Sequence, residues 1–268
     1  MLYLLKSSLS EAERRKNPKD SFVCSWCSKP CGIYCSSCLE ELAHTAIADY
    51  ETALNGNGEI TKNLLSTDRH PADDFCTLTA MCLIKLSISH RNPRQVYSLN
   101  KEVSYILQAI VLLEYAWSHS KSNFQLSLLL VRLYAFLGCG SQAMKAFEHL
   151  ALKQIQLDTL SYVLLDRISS LHPLPFTSSP DGSSENPSPL QYLQKQQKVY
   201  QKARVHVIQN RWKAFENGSY NSIFQFQEFS EHITRTLSAG TSVIESRKIS
   251  RILQANVPDE AGYDILRK

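Results

Sequence analysis

The chain has 268 residues, 43% of them hydrophobic, enough to bury a core as one large domain or two smaller ones. Its formal net charge of +4 is too mild to imply nucleic acid by itself. No apolar run approaches the roughly 18–20 residues needed to span a bilayer, so no membrane helix is expected.

Residues 1–19 carry five basic and two acidic side chains on a weak helical pattern and are expected to be exposed. The opening Met1-Leu2-Tyr3-Leu4-Leu5 falls short of a signal-peptide core of about 7–15 apolar residues and has no basic flank before it. Without such a signal the expected compartment is the cytoplasm, where thiols stay reduced. Asn217-Gly218-Ser219 is then a turn and not a glycan acceptor.

Residues 20–54 hold a cysteine cluster followed by a short helix. In "CSWCSKPCGIYCSSC", Cys24 and Cys27 form one C-x2-C pair and Cys35 and Cys38 another, with Cys31 between them. Two such pairs can supply four thiolates to a tetrahedral zinc at about 2.3 Å, since each two-residue spacer turns both sulfurs toward one ion. Cys31 and His44 are substitute ligands. Four thiolates leave no place for water, so the expected metal is structural. Disulfides, a redox pair and ordinary buried thiols compete with this reading. A reducing compartment, the missing strand–helix context and the density of cysteines weigh against each in turn. Cys76, Cys82 and Cys139 fall on apolar helix faces and are expected in the core.

Residues 55–71 read as a loop. Asp73 and Asp74 then sit where a helix N-terminus favours acids, opening a helix that runs to about Ser89. Across 72–171 apolar residues recur at three and four, which predicts an all-α fold. The chain also repeats itself. Ala109, Leu113 and Ala116 share their spacing with Ala143, Phe147 and Leu150, at a separation of 143 − 109 = 34 residues. That is the tetratricopeptide period, in which a small residue and a large one four later mark the second helix of each pair. Leu130 and Tyr134 take the matching places on the first helix, and Leu164 and Ile168 recur 34 residues further on. Ser127 and Val131 depart from the consensus Trp and Gly, so the repeats are degenerate, a segment of an α-solenoid.

The glycines of "YAFLGCGSQAMKAFEHL" could suggest a cofactor loop. An acetyl-CoA loop needs Gln or Arg three residues before the first glycine, where Ala135 stands, and should follow a strand. Gly138 and Gly140 are instead expected to turn one helix against the next. No acetyl-CoA or small-molecule substrate is expected on this chain.

Residues 172–190, rich in Pro and Ser, read as a linker. Helices are expected near 191–216, 219–238 and 240–254, before a tail at 255–268. The first carries Lys195, Lys198, Lys202, Arg204, Arg211 and Lys213 with no acid between Tyr192 and Phe215. Val199, Ala203, Val207 and Trp212 mark its expected buried side. The basic residues form either a solvated face or a contact with RNA phosphates, as on a ribosome, or with an acidic partner. No Ser-His-Asp grouping, HExxH pair or paired carboxylates appear, so no catalytic residues are expected.

Three stretches, "ADDFCTLTAMCLIKLS" (72–87), the run from Tyr105 to Leu171, and "FENGSYNSIFQFQEFSEHITRTLSAGTSVIESRKISRIL" (215–253), resemble the non-catalytic subunit of the NatB N-terminal acetyltransferase complex, fungal type. "KQIQLDTLSY" (153–162) is the most family-like run. The resemblance implies a tetratricopeptide-like superhelix that wraps a small catalytic subunit and helps anchor it to ribosomes. It implies acetylation, by that partner, of nascent chains beginning Met-Asp, Met-Glu, Met-Asn or Met-Gln. It also implies an influence on actin cytoskeleton organisation. Family members are several hundred residues longer, so the chain is expected to be a fragment or short form. The alternative is a zinc-knuckle helical adaptor for RNA or protein, unrelated to acetylation.

Overall fold

The computed structural model describes residues 24, 26–28, 35–56, 64–65, 67–89, 99–153, 155–174 and 188–254. Among them no strand occurs: the fold is all-α, a helical repeat architecture with a cysteine cluster near its N-terminus. It divides into two compact units, residues 1–130 and 131–268.

In the first unit, α1 (Ser36–Asn55) buries Leu39, Ala43, Ala46 and Tyr50, which follow one another at three- and four-residue steps. Helix α2 (Asp73–Ser89) packs on both α1 and α3 (Leu99–His119). Sandwiched in this way, it hides Cys76, Ala80, Cys82, Leu83 and Leu86. Small residues permit the approach. Ala80, Ala109 and Ala116 are fully buried, and the Thr79 hydroxyl reaches the Ala43 carbonyl of α1 at 3.5 Å. Tyr50 meets Tyr115 of α3 edge-on, with ring centroids 6.4 Å apart.

The N-terminus of α2 is held from a distance. Asp73 is buried and accepts from Asn123 Nδ2 at 2.8 Å, while Asn123 Oδ1 accepts from the Gln125 N–H at 3.0 Å. One side chain thus caps α4 (Phe124–Phe136) in the manner of an N-cap and fixes the start of α2. Arg69 pairs with Asp74 one residue on.

The boundary between the units lies within α4. The turn into α5 (Gly140–His149) is a Schellman motif. Cys139 N–H donates to the Tyr134 carbonyl at 2.9 Å and Gly138 N–H to that of Ala135 at 3.2 Å, with Gly138 at φ 76°. Gly140 has a different role from the turn expected of it. It is the first residue of α5, and a Cβ there would lie 2.5 Å from the His172 Cβ.

Beyond α5, residues 155–171 do not continue as one helix. They form α6 (Ile155–Leu160), a 3₁₀ turn (Ser161–Val163) and α7 (Ile168–Leu171). Leu164 and Ile168 are fully buried but lie outside any regular helix pair. The long α8 (Pro189–Glu216) opens on a capping box between Ser188 and Gln191, with proline at its first position. It packs on α9 (Tyr220–Arg235) and α10 (Leu237–Leu253). Tyr200 and Val207 of α8 meet Ile233 and Ala239 in a small core.

Candidate metal centre and the basic helix

Two short devices bring four sulfurs together. Cys35 is the N-cap of α1 and Cys38 sits in its first turn, so one pair is displayed by the helix N-terminus. The other pair lies on a tight turn in which Ser28 N–H donates to the Cys24 carbonyl at 2.9 Å and Trp26 N–H to Cys24 Sγ at 3.4 Å. Ser28 closes that turn at φ 55°, the left-handed region that costs a residue with a Cβ roughly 1–2 kcal/mol.

All four sulfurs lie within 4.8 Å of one another. Cys24 and Cys38 are 3.9 Å apart, Cys27 and Cys35 3.4 Å. A tetrahedron of thiolates at 2.3 Å from a central zinc has edges of about 3.8 Å, whereas a disulfide needs about 2.0 Å. The set therefore has the dimensions of a metal cage. Cys24, Cys35 and Cys38 are buried and Cys27 is partly so. Burial raises the Cys24 thiol, but the Cys27 and Trp26 N–H groups and neighbouring sulfurs more than offset it, to about 7. Burial keeps Cys35 above its ordinary value. The Cys24 thiol thus gives up its proton more readily than an ordinary cysteine, and the Cys35 thiol less readily.

His44 lies on the exposed side of α1 and is not part of the four-sulfur group. Cys31 lies outside the described residues. Cys76 and Cys82 are buried on α2, and burial pushes the Cys76 thiol up to about 12. Cys139 differs from expectation. As the residue before α5 it projects from the turn and is exposed, because the core-facing positions of that helix fall at Ala143 and Phe147.

The repeat positions Ala109, Leu113, Leu130, Ala143 and Phe147 are all buried, and Tyr134 is half-buried. On α8, Lys195, Lys198, Lys202 and Lys213 are exposed. Arg204 and Arg211 are half-buried, and Arg204 Nε and Nη2 are covered without a hydrogen-bond partner among the described residues. Trp212 was expected on the buried side and is 67% exposed. The residue one heptad after Val207 is Ala214, and it is Ala214 that is buried. Trp212 instead joins Val205, Ile208 and Phe215 in an exposed apolar stripe, with its ring stacked on Phe215 at 5.9 Å. Arginines border this stripe on one side and lysines on the other. Periodicity alone could not find it, since a core face and a docking face carry the same period.

Residues 5–264 match the family described as the N-acetyltransferase B complex (NatB) non catalytic subunit. The chain belongs to this family. It is 26% identical over 227 residues to the N-terminal acetyltransferase B complex subunit arm1 of Schizosaccharomyces pombe, covering 83% of this chain and 26% of that protein. It is 27% identical over 207 residues to the human N-alpha-acetyltransferase 25, NatB auxiliary subunit, covering 77% and 19% respectively. The phagocyte signaling-impaired protein of Drosophila pseudoobscura is 31% identical over 166 residues, 60% of this chain and 16% of its own. The chain spans about a quarter or less of the length of these relatives.

Proposed function

We propose that this chain serves as non-catalytic scaffold of a NatB complex, holding the catalytic acetyltransferase subunit and helping to place it at the ribosome. The single observation that carries this reading is the family match across residues 5–264. The chain itself is not an enzyme on this reading: its partner acetylates nascent chains that begin Met-Asp, Met-Glu, Met-Asn or Met-Gln. The work is done in the cytoplasm, and loss of the chain disturbs actin cytoskeleton organisation.

Two features support a scaffold. The 34-residue register fits degenerate tetratricopeptide-like repeats, which bind through extended surfaces and not through motifs. Exposed apolar residues on α3 (Val103, Leu107, Val111) offer such a surface. The lysines of α8 suit phosphate contact, and the stacked Trp212–Phe215 pair suits unpaired bases.

The test is co-purification of the tagged full chain from its own cells, followed by ribosome sedimentation. The expected result is stoichiometric recovery of a small acetyltransferase subunit and a ribosome-bound fraction that falls as salt rises. Lys198→Glu with Lys202→Glu should reduce that fraction several-fold while leaving the acetyltransferase bound. Repeated recovery of the folded chain without any acetyltransferase would overturn the scaffold reading. Sedimentation unchanged by the double substitution would return α8 to a solvated face.

A further inference from the structure

We propose that Cys24, Cys27, Cys35 and Cys38 hold one structural zinc ion as four thiolates, and that the ion clips the 24–28 turn onto the N-terminus of α1. The proposal stands apart from the acetyltransferase reading and uses none of it.

Three observations converge. The sulfur separations of 3.4 and 3.9 Å bracket the roughly 3.8 Å edge of a four-thiolate tetrahedron, and all four sulfurs lie within 4.8 Å, close enough to be drawn onto one ion. The Trp26 N–H aimed at Cys24 Sγ supplies the outer hydrogen bond that a metal-bound sulfur accepts. The third is the make-up of the cluster that joins turn and helix. The small cluster that joins the turn to α1 contains, among the described residues, cysteines alone. Trp26 and Ser28 of the same turn are exposed, and Ser28 holds a left-handed backbone. Four sulfur atoms bury little apolar surface, whereas metal bonds to all four would tie the turn directly to the helix.

The donor set also selects the metal. Soft thiolates in a tetrahedron suit zinc or a single iron, and disfavour magnesium or calcium, which take oxygen. A multinuclear iron–sulfur cluster would wedge iron and sulfide between the thiolates and hold them farther apart. With four protein ligands no position remains for water, so the ion is structural. Binding is an exchange of protons for metal: Zn²⁺ bonds to each sulfur as its proton leaves to solvent, and nothing is oxidised or reduced. The competing chemistry is oxidation to Cys24–Cys38 and Cys27–Cys35 disulfides, each of which would remove two protons and two electrons.

The experiment uses the full chain purified under reducing conditions without added metal or chelator. Elemental analysis should find one zinc per chain, and cobalt exchanged into the site should give the visible absorption of tetrahedral cobalt thiolate. Cys24→Ser and Cys38→Ser should each retain roughly tenfold less metal or lower. Cys31→Ser and His44→Ala should retain it in full. Should the serine variants fail to fold, chelation of the wild-type chain answers the same question by amide exchange. Protection at residues 39–42, beginning with the Leu39 N–H that donates to the Cys35 carbonyl at 3.1 Å, should be lost, while that in α2 and α3 is kept. Wild-type protein that is folded and metal-free, that carries iron, or that is lighter by the four hydrogens lost in forming two disulfides would each overturn the proposal.

Discussion

Gly138 and Gly140 stand two residues apart and obey different constraints. Gly138 needs a left-handed backbone, with open space where a Cβ would go. Gly140 has an ordinary backbone but no room, because His172 lies against it and bonds Ser141 at 2.8 Å. Gly140→Ala should therefore destabilise the fold by about 1–3 kcal/mol through overpacking, and Gly138→Ala by about 1–2 kcal/mol through backbone strain. Urea unfolding midpoints at unchanged slope measure both. A second substitution, His172→Gly, which removes the Cβ that the added methyl would strike, should relieve the first and not the second; relief of both would refute the distinction. At this scale the sequence is legible where spacing is local. The two C-x2-C pairs and the acids in the first turn of α2 can be read directly. The role of Gly140 cannot, since its constraint comes from a residue on another element. Nor can the left-handed Ser28, because serine seldom adopts that conformation.

At the scale of elements, buried polar groups tie the short helices to the long ones. Glu245 of α10 is 2% exposed and accepts from the Ser169 N–H of α7 at 3.0 Å and from Lys248 at 2.7 Å. Burial raises its carboxyl, but these donors together outweigh burial and hold it below its usual 4.5. A folded value below the unfolded one means that the unfolded chain binds more protons between the two. The contribution is therefore present above about pH 4.5 and is lost as pH falls through the lower folded value. Lys248 is half exposed and screened by solvent, so the Ser169 bond carries more of the effect. Glu245→Gln should lower stability at neutral pH by about 1–3 kcal/mol, and the difference from wild type should shrink on acidification. Glu148, raised by burial, acts in the opposite sense and cancels in that difference; Asp166 is raised by burial and also by the Glu245 charge, and only the burial share cancels. A difference that grew toward low pH would contradict the sign.

The same contacts explain why the helix expected around Leu164 and Ile168 is broken. Tyr200 and Ser238 reach Asp158 at 2.9 and 2.7 Å, and Gln196 reaches Ser161 at 2.9 Å. Donors from α8 thereby hold the Asp158 and Ser161 side chains and Ser238 of α10 holds the Asp158 carbonyl, against a 34-residue pattern that knows only local periodicity. Helices bounded by strong local signals, such as α2 and the Ser188-capped α8, begin close to where those signals stand.

On the scale of the whole molecule, each unit keeps a core and also exposes apolar side chains in rows. Val103, Leu107 and Val111 form such a row on α3; Val205, Ile208 and Trp212 form another on α8. A folded chain gains nothing by presenting them to water, and surface changes there should shift stability by no more than about 0.5 kcal/mol. Val111→Asp and Ile208→Asp should accordingly leave the melting temperature near that of wild type and reduce recovery of bound partner. A large fall in melting temperature would show instead that these rows are packed. No described helix is long and apolar enough to cross a membrane. The all-α class and its family were legible in the sequence, because they depend on period and extended similarity. The rows were not, because hydrophobic spacing marks a face without saying what covers it.

The exposed Cys139 has a practical consequence. Among the described cysteines, four are gathered in the sulfur cage and two are sealed in α2 with thiols held above their ordinary values. With the cage closed by zinc, Cys139, on the turn before α5, is the exposed thiol among the described cysteines. A maleimide dye or photo-crosslinker would therefore attach beside the Ala143–Phe147 helix without mutagenesis. From there it could report distances or capture neighbours in the native complex.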